Sequence, residues 1–175
     1  NKLNKFTNSF LKQRVYSANV NSIRALSNVC IETYKKYKIS TVIKHIPGHG
    51  LARTDSHKKL PIIYKNTKYL INNDFKCFKN NKSHFAMTAH VLFKKIDSKN
   101  CATHSKYIVK NFIRKKIGYK GIIISDDIGM KSLKYNLVEN ALKSLSAGCN
   151  LALYCQGKSK ESLKLLKKVP PIDEF

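Results

Sequence analysis

The stretch GIIISD, from Gly121 to Asp126, runs apolar for three β-branched residues and then turns polar. A short isoleucine run opened by glycine suits a strand buried on both faces, the kind found in parallel sheets covered by helices. Three more runs resemble it in length: ISTVIKH (Ile39–His45), HFAMTAH (His84–His90) and CNLALYC (Cys149–Cys155). Segments with helical spacing lie between them. From Asn21 to Tyr37 the apolar groups Ile23, Leu26, Cys30 and Tyr34 recur at steps of three and four residues. Further helices are predicted near Lys65–Asn72, over 103–118, over Leu137–Gly148 and over Ser159–Lys167. In the second of these Thr103 or Ser105 is the N-cap and Gly118 the stop. One helix followed by four strand–helix units implies right-handed crossovers and a parallel sheet, an α/β fold. Neither a low-complexity linker nor an internal repeat is visible, so residues 1–175 read as one domain or part of one.

The chemically rich residues sit where these strands end, at Lys44-His45, Thr88–His90 and Ser125–Asp127, which is where parallel α/β folds place their sites. No glycine-rich fingerprint follows any strand, so a dinucleotide fold is not expected. Asp126 and Asp127 close the isoleucine strand, and successive residues of a strand point to opposite faces. Pattern alone gives one aspartate to a cap and the other to chemistry. The loop KHIPGHGLARTDSHKKLP (Lys44–Pro61) is denser still. Asp55 and His57 lie two apart, and a carboxylate beside an imidazole fixes its tautomer and makes a proton donor and acceptor near neutral pH. His45, His49, Asp55 and His57 are also metal-ligand types, but their spacing matches no zinc motif.

Composition bounds the rest. At 175 residues with 42% apolar content the chain can bury a core. No apolar run is long enough to span a membrane. The formal charge is +24, but lysines are scattered, arginine is scarce, and abundant Lys, Asn and Ile suggest an AT-rich coding bias. A basic module for nucleic acid or another polyanion is the reading the charge offers; without a recognition signature, no specific nucleic-acid partner is expected. Five cysteines with no C-x-x-C argue against a disulfide framework and fit a reducing compartment. Asn1 in place of Met, with no leader, gives the expectation that the sequence is a fragment.

KHIPGHGLARTDSHKKLP strongly resembles the signature of bacterial β-N-acetylglucosaminidases of glycoside hydrolase family 3. Their pattern is Lys-His-Phe-Pro-Gly-His-Gly, four variable residues, Asp-Ser-His, two residues, and usually Leu-Pro; Ile46 replaces the phenylalanine. The likeness continues through MTAHV (Met87–Val91), ATHS (Ala102–Ser105) and IGYKGIIISDDIGM (Ile117–Met130), and reaches back to RVYSAN at Arg14. The resemblance implies roles residue by residue. Asp126 matches the nucleophile, His57 the acid/base and Asp55 its orienting partner, while Arg14, Lys44 and His45 match sugar-contacting residues. It implies no metal and no cofactor, a carbohydrate substrate derived from peptidoglycan, GlcNAc-1,6-anhydroMurNAc, and a cytoplasmic location.

The family fold is a (β/α)8 barrel of about 250 residues. Four strands amount to its C-terminal half, so the expectation is a partial TIM barrel completed by more chain, by self-association or by a partner. Cys77 and Cys101 stand where the family usually has proline, and Gly129 where it usually has serine.

Overall fold

The computed structural model describes residues 1–5, 7 and 9–171. A short helix α1 (Ser9–Lys12) precedes α2 (Val20–Lys36), whose first turn is capped by the Asn19 side chain accepting from the N–H groups of Asn21 and Ser22. Then come β1 (Val42–Ile46), β2 (Ile62–Ile63), α3 (Thr67–Asn72), a 3-10 turn (Phe75–Phe78), β3 (Phe85–Thr88) and β4 (Leu92–Phe93). The chain continues through a 3-10 turn (Ala102–His104), α4 (Lys106–Ile108), a π-helical segment (Val109–Ile117), β5 (Ile122–Ile124), α5 (Leu137–Ala147) and α6 (Ser159–Leu166). Ser105, not Thr103, caps α4, accepting from the Ile108 N–H at 3.1 Å. Gly118 at φ 77° and Gly148 at φ 107° end the π segment and α5 in the left-handed region that favours glycine.

The sheet is parallel, in the order β1-β3-β5, so each strand lies beside its predecessor. The expected fourth strand is reduced to one parallel bridge between Ile124 and Leu151. The reason is local. The Leu153 N–H turns to the Ser125 hydroxyl at 2.9 Å, and the Asn150 side chain takes the Ile123 N–H at 2.9 Å, so side chains replace ladder carbonyls. A second, two-stranded parallel pair, β2 with β4, was not expected; its strands are two residues long and leave no periodicity to read.

Register shows two unlike faces. Ile43, Ala86 and Ile123 share one face, and Ala86 and Ile123 are fully buried. They pack with Ile23 of α2, Leu70 of α3, Phe75 and Phe78 of the 3-10 turn, and Phe112 and Ile113 of the π segment. Phe75 meets Phe93 and Phe112 edge-on, with ring centroids 5.4 and 5.7 Å apart. Val42, Lys44, Phe85, Met87, Ile122 and Ile124 share the other face, where Val42 is 43% and Ile122 40% exposed. The isoleucine strand is therefore covered on one face only, which corrects the expectation of burial on both. A smaller apolar cluster of Ile128, Ala141 and Leu165 seats α5 and α6 beyond the end of β5. Among the described residues no helix is long and apolar enough to cross a membrane.

Candidate active site

Alternation along β5 sorts the two aspartates. Ser125 is fully buried on the covered side, and Asp126 leaves half-buried on the open-face side. Asp127 makes turn contacts: its Oδ1 accepts from the N–H of Gly129 at 3.0 Å and of Cys155 at 3.1 Å. Among the described residues Asp126 Oδ1 accepts the neighbouring Asp127 N–H, at 2.9 Å, and Oδ2 lies 3.7 Å from His45 Nε2. That separation is longer than a hydrogen bond and short enough for electrostatic contact.

His45 is the penultimate residue of β1, where the register slips between Lys44 and Ile46. Burial pushes its pKa well below the ordinary histidine value, and His49, Lys44 and Arg14 add repulsion, so the ring is neutral near pH 7. The His49 ring stands 5.5 Å away and is held at a pKa of about 4, again by burial first. The Asn1 side chain joins the two: its Oδ1 accepts the His49 N–H at 2.8 Å, and its Nδ2 lies 3.4 Å from His45 Nδ1.

The loop between β1 and β2 carries the second group. Asp55 begins a turn in which its carbonyl accepts the N–H groups of Lys58 and Lys59 at 3.0 and 3.1 Å. Its Oδ1 accepts the His57 N–H at 2.9 Å and lies 2.8 Å from His57 Nδ1. Burial raises the Asp55 pKa, but the two contacts from His57 outweigh it and the net shift is downward, so the carboxylate is ionised at neutral pH. A carboxylate only accepts, so Nδ1 carries a proton and Nε2 is left for exchange. Gly48 and Gly50 permit close approach. A Cβ on Gly48, at φ 152°, would come within 2.8 Å of Asp74 Cβ, and one on Gly50 within 2.0 Å of the Lys2 carbonyl oxygen.

These groups converge. One cavity of about 100 Å³ is lined by Arg14, Lys44, His45, Asp55, His57 and Asp126, together with Leu11, His49, Thr54 and Ser56. All six residues singled out from sequence therefore share one cavity. Of the other four, His49 is a metal-ligand type in the sequence and lies with Ser56 in the family signature, whereas Leu11 and Thr54 carry no signal there. Among the described residues no group of three His, Cys, Asp or Glu side chains is placed to hold a metal ion. A larger cavity of about 480 Å³ follows the free edge of β1 below α2 and shares Arg14 and Lys44 with the first.

The model of the glycosyl hydrolase family 3 N-terminal domain matches residues 4–171. A beta-hexosaminidase of Haemophilus influenzae is 34% identical over 168 residues, covering 90% of this chain and 48% of that protein. One from Mannheimia succiniciproducens is 35% identical over 136 residues, covering 74% and 39%. Among solved structures, NagZ from Neisseria gonorrhoeae in complex with N-trifluoroacetyl-D-glucosamine superposes with a TM-score of 0.86 at 26% identity, covering 99% of this chain and 51% of that one. The family 3 beta-N-acetylglucosaminidase of Paenibacillus sp. str. FPU-7 gives 0.85 at 27%, covering 96% and 34%. The chain spans about half the length, or less, of the relatives it matches. It belongs to the glycosyl hydrolase family 3 N-terminal domain family.

Proposed function

We propose that the chain is a catalytic half-barrel of a retaining exo-β-N-acetylglucosaminidase. The observation that carries this is the convergence of Asp126, the Asp55–His57 pair, Arg14, Lys44 and His45 on one cavity. The names of the relatives, beta-hexosaminidase and beta-N-acetylglucosaminidase, support the same substrate class.

Asp126 attacks the anomeric carbon of a terminal β-linked GlcNAc while His57, entering the step with both ring nitrogens protonated, gives its Nε2 proton to the departing oxygen and keeps the Nδ1 proton facing Asp55, leaving a glycosyl ester on the enzyme. His57 then takes a proton from water as that water attacks the same carbon, Asp126 leaves, and two inversions restore the β configuration. Arg14, Lys44 and His45 hold the sugar, and neutral His45 faces Asp126 without tying it up as an ion pair. The reading calls for no metal or cofactor. It takes the substrate to be a peptidoglycan fragment, GlcNAc-1,6-anhydroMurNAc, handled in the cytoplasm.

The exposed apolar face of the sheet and the free edge of β1 support one further part of the reading. In a (β/α)8 barrel that face points inward and is filled by side chains from the other strands. Further polypeptide, from a longer chain, a second copy or a partner, completes the barrel over Val42, Phe85, Met87 and Ile122. The same openness favours a second reading, in which residues 1–175 alone bind sugar without turnover.

Proton NMR of the first sugar released from 4-nitrophenyl β-N-acetylglucosaminide tests the mechanism. The β anomer must appear first; initial release of the α anomer would exclude a covalent intermediate on Asp126.

A further inference from the structure

His90 follows β3, is fully buried, and has no place in the chemistry above. Its Nε2 lies 3.0 Å from the carbonyl oxygen of Asp127, and its Nδ1 lies 2.8 Å from Thr103 Oγ1. Thr103 Oγ1 is in turn 2.8 Å from Thr88 Oγ1 and 3.2 Å from the Ala89 carbonyl. Thr88 and Thr103 are themselves fully buried.

Hydrogen counting orders this group. A carbonyl only accepts, so Nε2 must carry a proton. Burial lowers the pKa of His90 against the opposing pull of Asp126 and Asp127, so the ring is neutral and Nδ1 presents a lone pair. Thr103 has one hydroxyl hydrogen. Given to Nδ1 it makes the 2.8 Å contact a hydrogen bond; given to Ala89 it would leave two lone pairs facing each other at that distance. Thr88 then donates to Thr103. The titratable neighbours acting on the ring are Asp126 and Asp127 from the end of β5, and His57 from the loop after β1; His49 and His104 also sense it.

We propose that Thr88, Thr103 and His90 form a one-directional hydrogen-bond relay that fixes His90 as its Nε2–H tautomer, and that His90 is a positioning residue for Asp126. The relay ends on the carbonyl of Asp127, whose own N–H holds Asp126 Oδ1 at 2.9 Å. It therefore clamps Asp127, the residue whose N–H holds the carboxylate, and sets where Asp126 points. A buried donor on a main-chain carbonyl is the kind of support that keeps a reacting group within a fraction of an ångström of its working geometry. The catalytic consequence rests on Asp126 being the nucleophile, as proposed above; the tautomer and the clamp do not.

The test uses Thr103→Val, which keeps the shape and removes the donor, with Thr103→Ser as the rescue. In the parent protein, nitrogen-15 NMR of the His90 ring at pH 7 shows Nε2 protonated and Nδ1 bare. In Thr103→Val the Nδ1 lone pair loses its donor while the Asp127 carbonyl still holds the Nε2 proton, so the Nδ1 resonance moves downfield and the Asp126 carboxyl carbon-13 resonance moves with it; both return in Thr103→Ser. On 4-nitrophenyl β-N-acetylglucosaminide, kcat falls about tenfold with KM nearly constant, the loss of one buried hydrogen bond felt in the transition state. An Nδ1–H tautomer in the parent protein overturns the relay. An Asp126 resonance that stays in place while the His90 Nδ1 resonance moves overturns the positioning role. A parent protein inert toward the substrate would count against the proposed function alone, because the two NMR readouts still decide the relay.

Discussion

Replacing Asp55 by asparagine probes the proposed proton transfer most selectively. Asparagine keeps the size of the side chain and an acceptor for the His57 N–H. It removes the charge facing His57 Nδ1 at 2.8 Å and offers an NH2 group that can point at the ring instead. The imidazole then no longer has a single preferred tautomer. A hydrogen bond to a charged partner contributes about 1.5–3 kcal/mol. The His57 side chain is 54% exposed, so solvent screening argues for the lower end. About 1.5 kcal/mol corresponds to roughly a tenfold loss of rate. The loss must depend on the leaving group. 4-Nitrophenolate departs with little help from an acid, whereas a sugar alcohol needs a full proton. Comparing kcat/KM for 4-nitrophenyl β-N-acetylglucosaminide and for a GlcNAc disaccharide therefore separates the roles. Asp55→Asn should lose severalfold more on the disaccharide. Equal losses on both would mean that Asp55 shapes the loop without serving the proton, and the assignment of His57 as acid would fall.

Two further predictions concern the fold and its pH dependence. Ile123→Ala removes a fully buried side chain and should lower stability by about 2–5 kcal/mol, whereas Ile122→Ala on the 40% exposed face should cost about 1 kcal/mol or less, read by urea denaturation. Supplying the remaining barrel should raise the cost of Ile122→Ala toward that of Ile123→Ala; equal costs in residues 1–175 alone would contradict the open face. Stability should fall as pH drops from 7 to 5. Folded His45, His49, His90 and His104 all have lowered pKa values, and the unfolded chain takes up protons near 6.5 that the folded chain refuses. Asp74 works the other way: burial raises it from 3.8 to about 6, so its unfavourable contribution grows as pH rises through that window, to about 3 kcal/mol at most. Asp74→Asn should accordingly stabilise the protein at pH 7 and steepen its acid loss; a variant less stable at pH 7, with an unchanged slope in melts at each pH, would refute this.

Much of the arrangement was legible because it is written locally. Ser105, Gly118 and Gly148 mark helix ends through their own side-chain or backbone chemistry. Lys44, His45 and Asp126 could be placed together because parallel strands end on the same side of a sheet. The loop pair was legible because two residues of extended or turning chain keep Asp55 and His57 within reach. What escaped is long-range or very short. The β2–β4 pair is too brief for any period to register. The fourth strand fails through the Ser125 hydroxyl and the Asn150 amide, side chains that a propensity reading counts only as polar. The exposure of Ile122 reflects what covers the sheet, which three isoleucines in a row cannot report. The His90 relay joins residues from two separate segments to a carbonyl in a third. In the sequence, Thr103 looked like an alternative helix cap; in the fold Ser105 caps, and Thr103 faces inward to His90.

The central claim is that Asp126 is the nucleophile of a β-N-acetylglucosaminidase. The most direct measurement is hydrolysis of 4-nitrophenyl β-N-acetylglucosaminide by the barrel-completed protein beside its Asp126→Ala variant, with both shown to be folded by their thermal melts. Turnover in the parent and a loss of at least several hundredfold in the variant is the predicted result, the scale expected when the group that makes the covalent bond is removed. Equal turnover in the two proteins would contradict it.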